Sequence, residues 1–176
     1  MRARVLGAGA AIAALIVCSS CEARAAADSA YTSLREGDCH APSTEIASPY
    51  KRRDLGVQQC PAFPGWQVLL VSSDANTWVD VSNAGVAWSG ERPIVYELPI
   101  GLFPGVDTAT DVEWRRNGRG ELTAIILRLL AQDRDALTSQ QSRLLVVRVT
   151  RNATCVLGRV ATAAEAHALA DGDRAC

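Results

Sequence analysis

The sequence predicts an α+β domain: a mainly antiparallel sheet of about six strands, one short C-terminal helix and an irregular N-terminal cap pinned by a disulfide. Three observations carry that expectation. Short apolar runs alternate with polar residues and are separated by Gly, Asn, Asp and Pro, as hairpins require. A capping box, Thr162-Ala163-Ala164-Glu165, opens an Ala-rich stretch near the C-terminus. Four cysteines, Cys39, Cys60, Cys155 and Cys176, follow an N-terminus of export type.

Residues 1–27 read as a signal peptide. Arg2 and Arg4 precede the apolar run Val5 to Val17, which is shorter than the roughly 20 residues needed to span a bilayer. Small-x-small cleavage options follow at Ala23-Arg24-Ala25 and Ala25-Ala26-Ala27. A lipid anchor on Cys21 competes with plain cleavage, as does an uncleaved anchor. Cys18 has Val17 where acylation wants a small residue, and Cys21 has Cys18 where it wants an aliphatic one. The expectation is a periplasmic or secreted soluble body, with attachment to a bacterial membrane only if Cys21 is lipidated.

Residues 28–65 form the expected cap, broken by Pro42, Pro49, Pro61 and Pro64, with Lys51-Arg52-Arg53 as an exposed turn. Residues 66–176 form the β-rich remainder of the same globular unit. Gln67–Ser72 and Thr77–Ser82 make a hairpin around Ser73-Asp74-Ala75-Asn76. Asn83 to Pro93 reads as a loop, Ile94–Leu98 as a short strand and Pro99 to Asp111 as loop again.

Asp111–Arg116 and Glu121–Leu130 are strands joined through Asn117-Gly118-Arg119-Gly120. A two-residue Asn-Gly turn sets Trp114 opposite Glu121. A four-residue loop pairs Arg116 with Glu121, Trp114 with Thr123 and Val112 with Ile125, and is preferred for its ion pair at the tip. Ala124-Ile125-Ile126-Leu127 is apolar at consecutive positions, which predicts a strand covered on both faces; a helix over Leu122 to Leu130 is the alternative. Ala131 to Ser142 connects to strands at Leu144–Thr150 and Thr154–Val160. The final helix stops at Asp171-Gly172, where glycine is expected to take the left-handed conformation.

An even set of exported cysteines predicts disulfides. The sequence-local pairing, Cys39–Cys60 and Cys155–Cys176, closes two loops of about 20 residues, each worth roughly 3 kcal/mol in the chain-entropy model. Zinc would want paired ligands two to four residues apart, a spacing the four cysteines lack.

Glu113-Trp114-Arg115, Ala124-Ile125-Ile126-Leu127-Arg128, Leu145-Val146-Val147 and Cys155-Val156 precede an Ala-rich helix and a final cysteine. Together with Cys60-Pro61 and Gly65-Trp66, they resemble a group of small exported alphaproteobacterial proteins. The resemblance implies an exported location and this architecture, and it transfers no catalytic residue.

The charge pattern excludes a nucleic-acid binder. Loss of residues 1–27, with three arginines and one glutamate, takes the formal charge from −1 to −3. Nucleophilic hydrolysis would have to use His40, in the cap, or His167, on the Ala-rich helix, and no Gly-x-Ser-x-Gly elbow is present. Asp107 with Asp111 and Asp133 with Asp135 are carboxylate pairs in expected loops, where turn chemistry accounts for aspartate. The second pair is no calcium loop, because Leu137 stands where an oxygen ligand belongs.

Of the four tryptophans, Trp78 and Trp114 are expected in the core, while Trp88 sits in the Gly/Ser loop and is the surface candidate. Arg115, Arg116 and Arg119 crowd one hairpin end, where guanidinium forks suit phosphate or carboxylate and equally discourage strand aggregation. Asn152-Ala153-Thr154 matches a glycosylation acceptor, which says nothing in a bacterial chain. The expected function is therefore a non-catalytic exported domain that binds a protein or envelope component, without cofactor or metal. Trp88, Arg115, Arg116 and Arg119 are the candidate binding residues. The alternatives are an envelope hydrolase, favoured by a pocket joining His40 to an aspartate, and a protein inhibitor of a hydrolase.

Overall fold

A computed structural model describes residues 27–97, 100–174 and 176. The expected leader, including Cys18 and Cys21, lies outside the described residues apart from Ala27. The described residues form one sheet of ten strands curled into a half-barrel, where about six were expected. They are β1 (Asp28–Ser33), β2 (Gly56–Cys60), β3 (Gln67–Ser72), β4 (Thr77–Ser82), β5 (Ala87–Ser89), β6 (Leu102–Val106), β7 (Asp111–Arg116), β8 (Leu122–Gln132), β9 (Gln140–Val149) and β10 (Thr154–Val160). Two α-helices, α1 (Thr44–Lys51) and α2 (Ala163–Asp171), complete the architecture with short turns at Glu36–Asp38 and Arg92–Glu97.

Strands β3, β4, β7 and β10 fall at the expected residues, because each carries its own alternating pattern between turn signals. The expected irregular cap is corrected most. It contains β1, α1 and β2, which local pattern conceals: β1 is polar and pairs far along the chain with β7, Asp28 facing Arg116 and Ser33 facing Asp111. Helix α1 begins at Ser43, whose hydroxyl accepts from the Ile46 amide, and it holds Pro49 in its interior despite the hydrogen bond proline removes.

Of the expected strand Ile94–Leu98, residues 94–97 are not a strand, and Leu98 lies outside the described residues. Arg92–Glu97 is a π-type turn entered through the Gly90 carbonyl, which accepts from the Ile94 amide, and its buried residues are Pro93 and Ile94. The expected loops on either side each hold a strand, β5 and β6. Gly105 explains how β6 reaches both neighbours: a side chain there would collide with Thr77, its single partner on β4. That close approach joins β2–β3–β4–β5 to β1–β7–β8–β9–β10 through β6.

The β7–β8 register is neither expected one. Trp114 pairs with Ile125 and Arg115 with Ala124, and a bulge then brings Arg116 opposite Leu122. The extra residue frees Glu121 from the ladder, and its carboxylate accepts from Asn117 and Arg119 at the tip, not from Arg116.

Strand β8 is covered on both faces, as its apolar run predicts. Inward, Val147 of β9, Ile125 of β8, Trp114 of β7 and Ala30 of β1 align in one cross-strand row. They belong to the main core with Val68, Val71, Trp78, Val79, Leu127 and Leu129. Trp78 is 2% and Trp114 0% exposed, so both expected core tryptophans are buried. The Trp114 indole donates to Thr32 Oγ1 at 2.8 Å, removing the cost of a buried N–H.

One residue along, the outer row reads Arg148, Ala124, Arg115 and Ser29. Helix α2 lies over this face, where Ala166 and Ala170 meet Ala124, Ile126, Val146 and Leu157 in a small second core. Its capping box forms as expected: the Thr162 hydroxyl accepts from the Glu165 amide, and the Glu165 carboxylate accepts from the Thr162 amide at 3.0 Å. The expected left-handed glycine does not. Gly172 is extended (φ −72°, ψ 163°), because Arg148 satisfies the helix end instead, donating to the Ala170 and Gly172 carbonyls at 3.0 and 2.7 Å.

Both expected disulfides are present. Cys39–Cys60 ties the segment before α1 to β2, and Cys155–Cys176 ties β10 to the chain beyond α2; each spans 21 positions. Among the described residues no helix is long and apolar enough to cross a membrane.

Candidate functional site

Antiparallel neighbours place alternate connections at opposite ends of a sheet. Four connections therefore converge at one end: residues 61–66 between β2 and β3, 83–86 between β4 and β5, 117–121 between β7 and β8, and 150–153 between β9 and β10. Between them lies an open cleft of about 920 Å³, within the usual size range of small-molecule sites.

Each tip is built by turn chemistry. The Asn83 side-chain oxygen accepts from the Gly85 and Val86 amides, and Asn117 does the same for Arg119 and Glu121. Gly120, at φ +76°, supplies the left-handed step that turns the β7–β8 tip. Thr150 Oγ1 accepts from the Ala153 amide in the fourth tip.

Phe63, Pro64 and Trp66, with Ala84 and Leu122, supply the apolar part of the lining. Phe63 stacks on buried Trp114 with centroids 5.9 Å apart, and Trp66 is tilted against it at 6.2 Å. The core tryptophan therefore fixes an aromatic floor at two partly buried rings. The polar lining includes Arg119, Arg151, Glu121, Asn83, Asn117 and Asn152. The Arg119 side chain is 82% exposed and spends only its Nε–H on Glu121, at 3.2 Å. Hydrogen bonding from Asn117, and then the charge of Arg119, hold the Glu121 carboxyl below its ordinary range.

The candidate residues separate. Arg119 lines the cleft. Arg116 lies outside its lining and forks onto Asp28 at 2.8 and 2.5 Å. Arg115 is 7% exposed, because its side chain leaves the β7 face on which α2 sits. It donates to Asp171 at 3.1 and 2.5 Å and to Ser29 at 2.7 Å. The same cluster holds His167, whose Nε2 lies 2.8 Å from Glu113 Oε1.

This cluster lacks the order of a nucleophilic triad. The Ser29 hydroxyl donates at 2.5 Å to that same Glu113 oxygen, not to the imidazole. Its chemistry is that of a clasp between β1, β7 and α2.

Trp88 is not in a loop. It belongs to β5, pairs with Val81 and packs partly buried against the core. Trp66, passed over at the sequence level, holds the cleft position. The available signal was the alternation of hairpin ends, which groups the Gly65-Trp66 tip with the Asn117-Gly118 tip.

His40 is exposed and bridges Gln59 through the backbone. Asp107 and Asp133 accept from the amides two residues on, at 3.0 and 2.9 Å, so both serve turns. Asp111 pairs with Arg35.

A third cluster joins α1 to the β4–β5 hairpin. The Tyr50 hydroxyl donates to Asp80 at 2.7 Å, and Arg53 pairs with Glu91 at 2.5 Å. Burial, with no cation in direct contact, pushes the Asp80 carboxyl above its ordinary range, and burial together with that carboxylate raises the Tyr50 phenol. Among the described residues no group of three His, Cys, Asp or Glu side chains is arranged to hold a metal ion. Compared with known proteins, the chain matches no family model, no curated protein and no solved structure.

Proposed function

We propose that the chain is an exported binding domain, without catalysis of its own, that takes up a protein or envelope component in the loop-end cleft. The observation that carries this reading is the convergence of four hairpin tips around an aromatic floor with two arginines. Such a surface is rigid beneath and polar at the rim, the arrangement that concentrates binding energy in a few anchors. Two disulfides support an oxidising compartment. The leader pattern at residues 1–27 and the likeness to exported alphaproteobacterial proteins support the periplasm or the outside of the cell. Plain cleavage after Ala25 or Ala27 gives a free protein; acylation of Cys21 gives a membrane-attached one. The intact mass of the native product separates the two.

The test of binding is affinity capture from the periplasm with the native protein as bait, against a Trp66→Ala/Arg119→Ala variant. The expected outcome is a partner retained by the native protein and lost by the variant. Capture unaffected by these substitutions moves the site away from the cleft.

A further inference from the structure

We propose that the cleft recognises an acidic saccharide, a short glycan whose rings bear carboxylates; this rests on the binding reading and names its ligand class. Three features of the lining point to that chemistry together. The first is the aromatic floor. A pyranose presents one face of polarised C–H groups, which are drawn to the negative face of an aromatic ring, and Trp66 is held in place by its packing on Trp114.

The second feature is local charge. The expected exported chain is net acidic, yet the cleft gathers Arg119 and Arg151 against one carboxylate, Glu121. Arg119 keeps the donors beyond its Nε–H for a ligand, and a guanidinium fork matches a carboxylate in a bidentate manner. A cationic spot on an acidic body draws anions and repels nothing it is built to bind.

The third is the origin of the walls. They consist of turn segments whose amide side chains, Asn83, Asn117 and Asn152, stand at three of the four tips. The Asn83 and Asn117 oxygens are spent on their own turns and the Asn117 NH2 donates to Glu121, so the Asn83 NH2 and the Asn152 amide are what remain for a hydroxyl-rich ligand. A peptide added as a strand would instead need a free ladder edge, and the cleft is made of hairpin tips. At about 920 Å³ and open to solvent, it has room for a short oligomer.

Carboxylated sugars reach an exported protein from two sources, the muramic acid of the cell's own wall and uronic acids from outside. The full exported protein should therefore be titrated by calorimetry with three probes: an oligogalacturonate, its methyl ester, and peptide-free glycan strands of N-acetylglucosamine and N-acetylmuramic acid. The expected result is binding of at least one acidic probe, weakened roughly tenfold or more by Arg119→Gln/Arg151→Gln and by raised salt. Esterification should weaken the uronate in the same way if that is the source bound. Both arginine positions are on exposed turns, so that variant keeps its fold, and an unchanged melting temperature verifies it. Trp66→Ala should abolish binding of every probe.

Equal binding of the acid and its ester, with no effect of the arginine variant, overturns the proposal. So does the absence of binding to all three. In that second case, capture of a periplasmic protein that depends on Arg119 and Arg151 leaves the binding reading standing with a different ligand. Its absence removes both.

Discussion

Two rows of side chains cross the same four strands one residue apart and are held by opposite means. The inner row, Val147–Ile125–Trp114–Ala30, is apolar, its first three members buried in the main core and Ala30 partly buried against it. The outer row, Arg148–Ala124–Arg115–Ser29, surrounds one alanine with two guanidiniums and a hydroxyl. Inside, stability follows from the area withdrawn from water. Outside, a helix of small residues has little area to bury, and the arginines attach its C-terminal end through Asp171 and the free carbonyls of Ala170 and Gly172. A cation at a helix C-terminus also meets the favourable end of the dipole. The contrast teaches that small-residue packing gives closeness, while the ion pairs give position.

The largest test of the contrast is Trp114→Ala. Removing a fully buried indole should cost about 3–5 kcal/mol by urea unfolding. It should also loosen Phe63 and Trp66, which rest on that ring, so cleft binding should weaken even under conditions where the variant stays folded. A loss below about 1 kcal/mol would mean that the inner row is not governed by packing.

Next is Arg115→Ala, which strands Asp171 beside a nonpolar seam while Glu113 keeps Ser29 and His167. Breaking one partner of a buried pair costs about 3 kcal/mol or more, discounted here because Asp171 is a third exposed. Amide exchange should quicken in α2 and β1 before it does in β3 and β4. Uniform quickening would show that the outer row is part of the same cooperative unit as the inner one.

Thr162→Ala removes the cap and should cost about 1 kcal/mol, again read first in α2. The last expectation concerns pH and sharpens the comparison with a buried carboxylate that lacks an arginine. Because the folded Asp80 carboxyl is raised, the native state holds its proton where the unfolded chain has lost it. The contribution of Asp80 to stability therefore falls as pH rises from the ordinary carboxylate range, near 4, through the higher folded value. Asp80→Asn should flatten that fall in urea midpoints measured across the window, while still accepting from Tyr50.

What could be read from the sequence follows from how local each signal is. The β3–β4 hairpin, the capping box at Thr162 and the two disulfides each draw on residues within about one or two dozen positions, and all three are in the structure. Strand β1 could not be read that way, since Asp-Ser-Ala-Tyr-Thr-Ser is polar and its partner strand lies far along the chain. The Ile94–Leu98 run has strand composition, yet residues 94–97 belong to a turn that starts from the Gly90 carbonyl and carries Pro93. Arg115 and Arg116 are neighbours in sequence, and alternation sends their side chains to different partners. The cleft was half legible. Arg119 was seen because its turn is local, and Trp66 was missed because only the sheet brings residues 61–66 beside residues 117–121.

The side-chain hydrogen bonds that tie β1 to β7 link residues 82 to 88 positions apart, as Trp114 to Thr32 and Arg116 to Asp28 illustrate. That separation has a kinetic meaning. Among the described strands β1 is the first to be synthesised, and it has no ladder to join until Asp111–Arg116 has followed it. Closing so long a loop adds only logarithmically to the entropy cost, yet it delays the contact and slows folding as other non-local pairings do. β1 therefore docks only after β7 is in place to receive it. Its polar composition suits the wait, because a strand of Ser, Thr and Asp can stay hydrated as an unpaired chain without recruiting its neighbours.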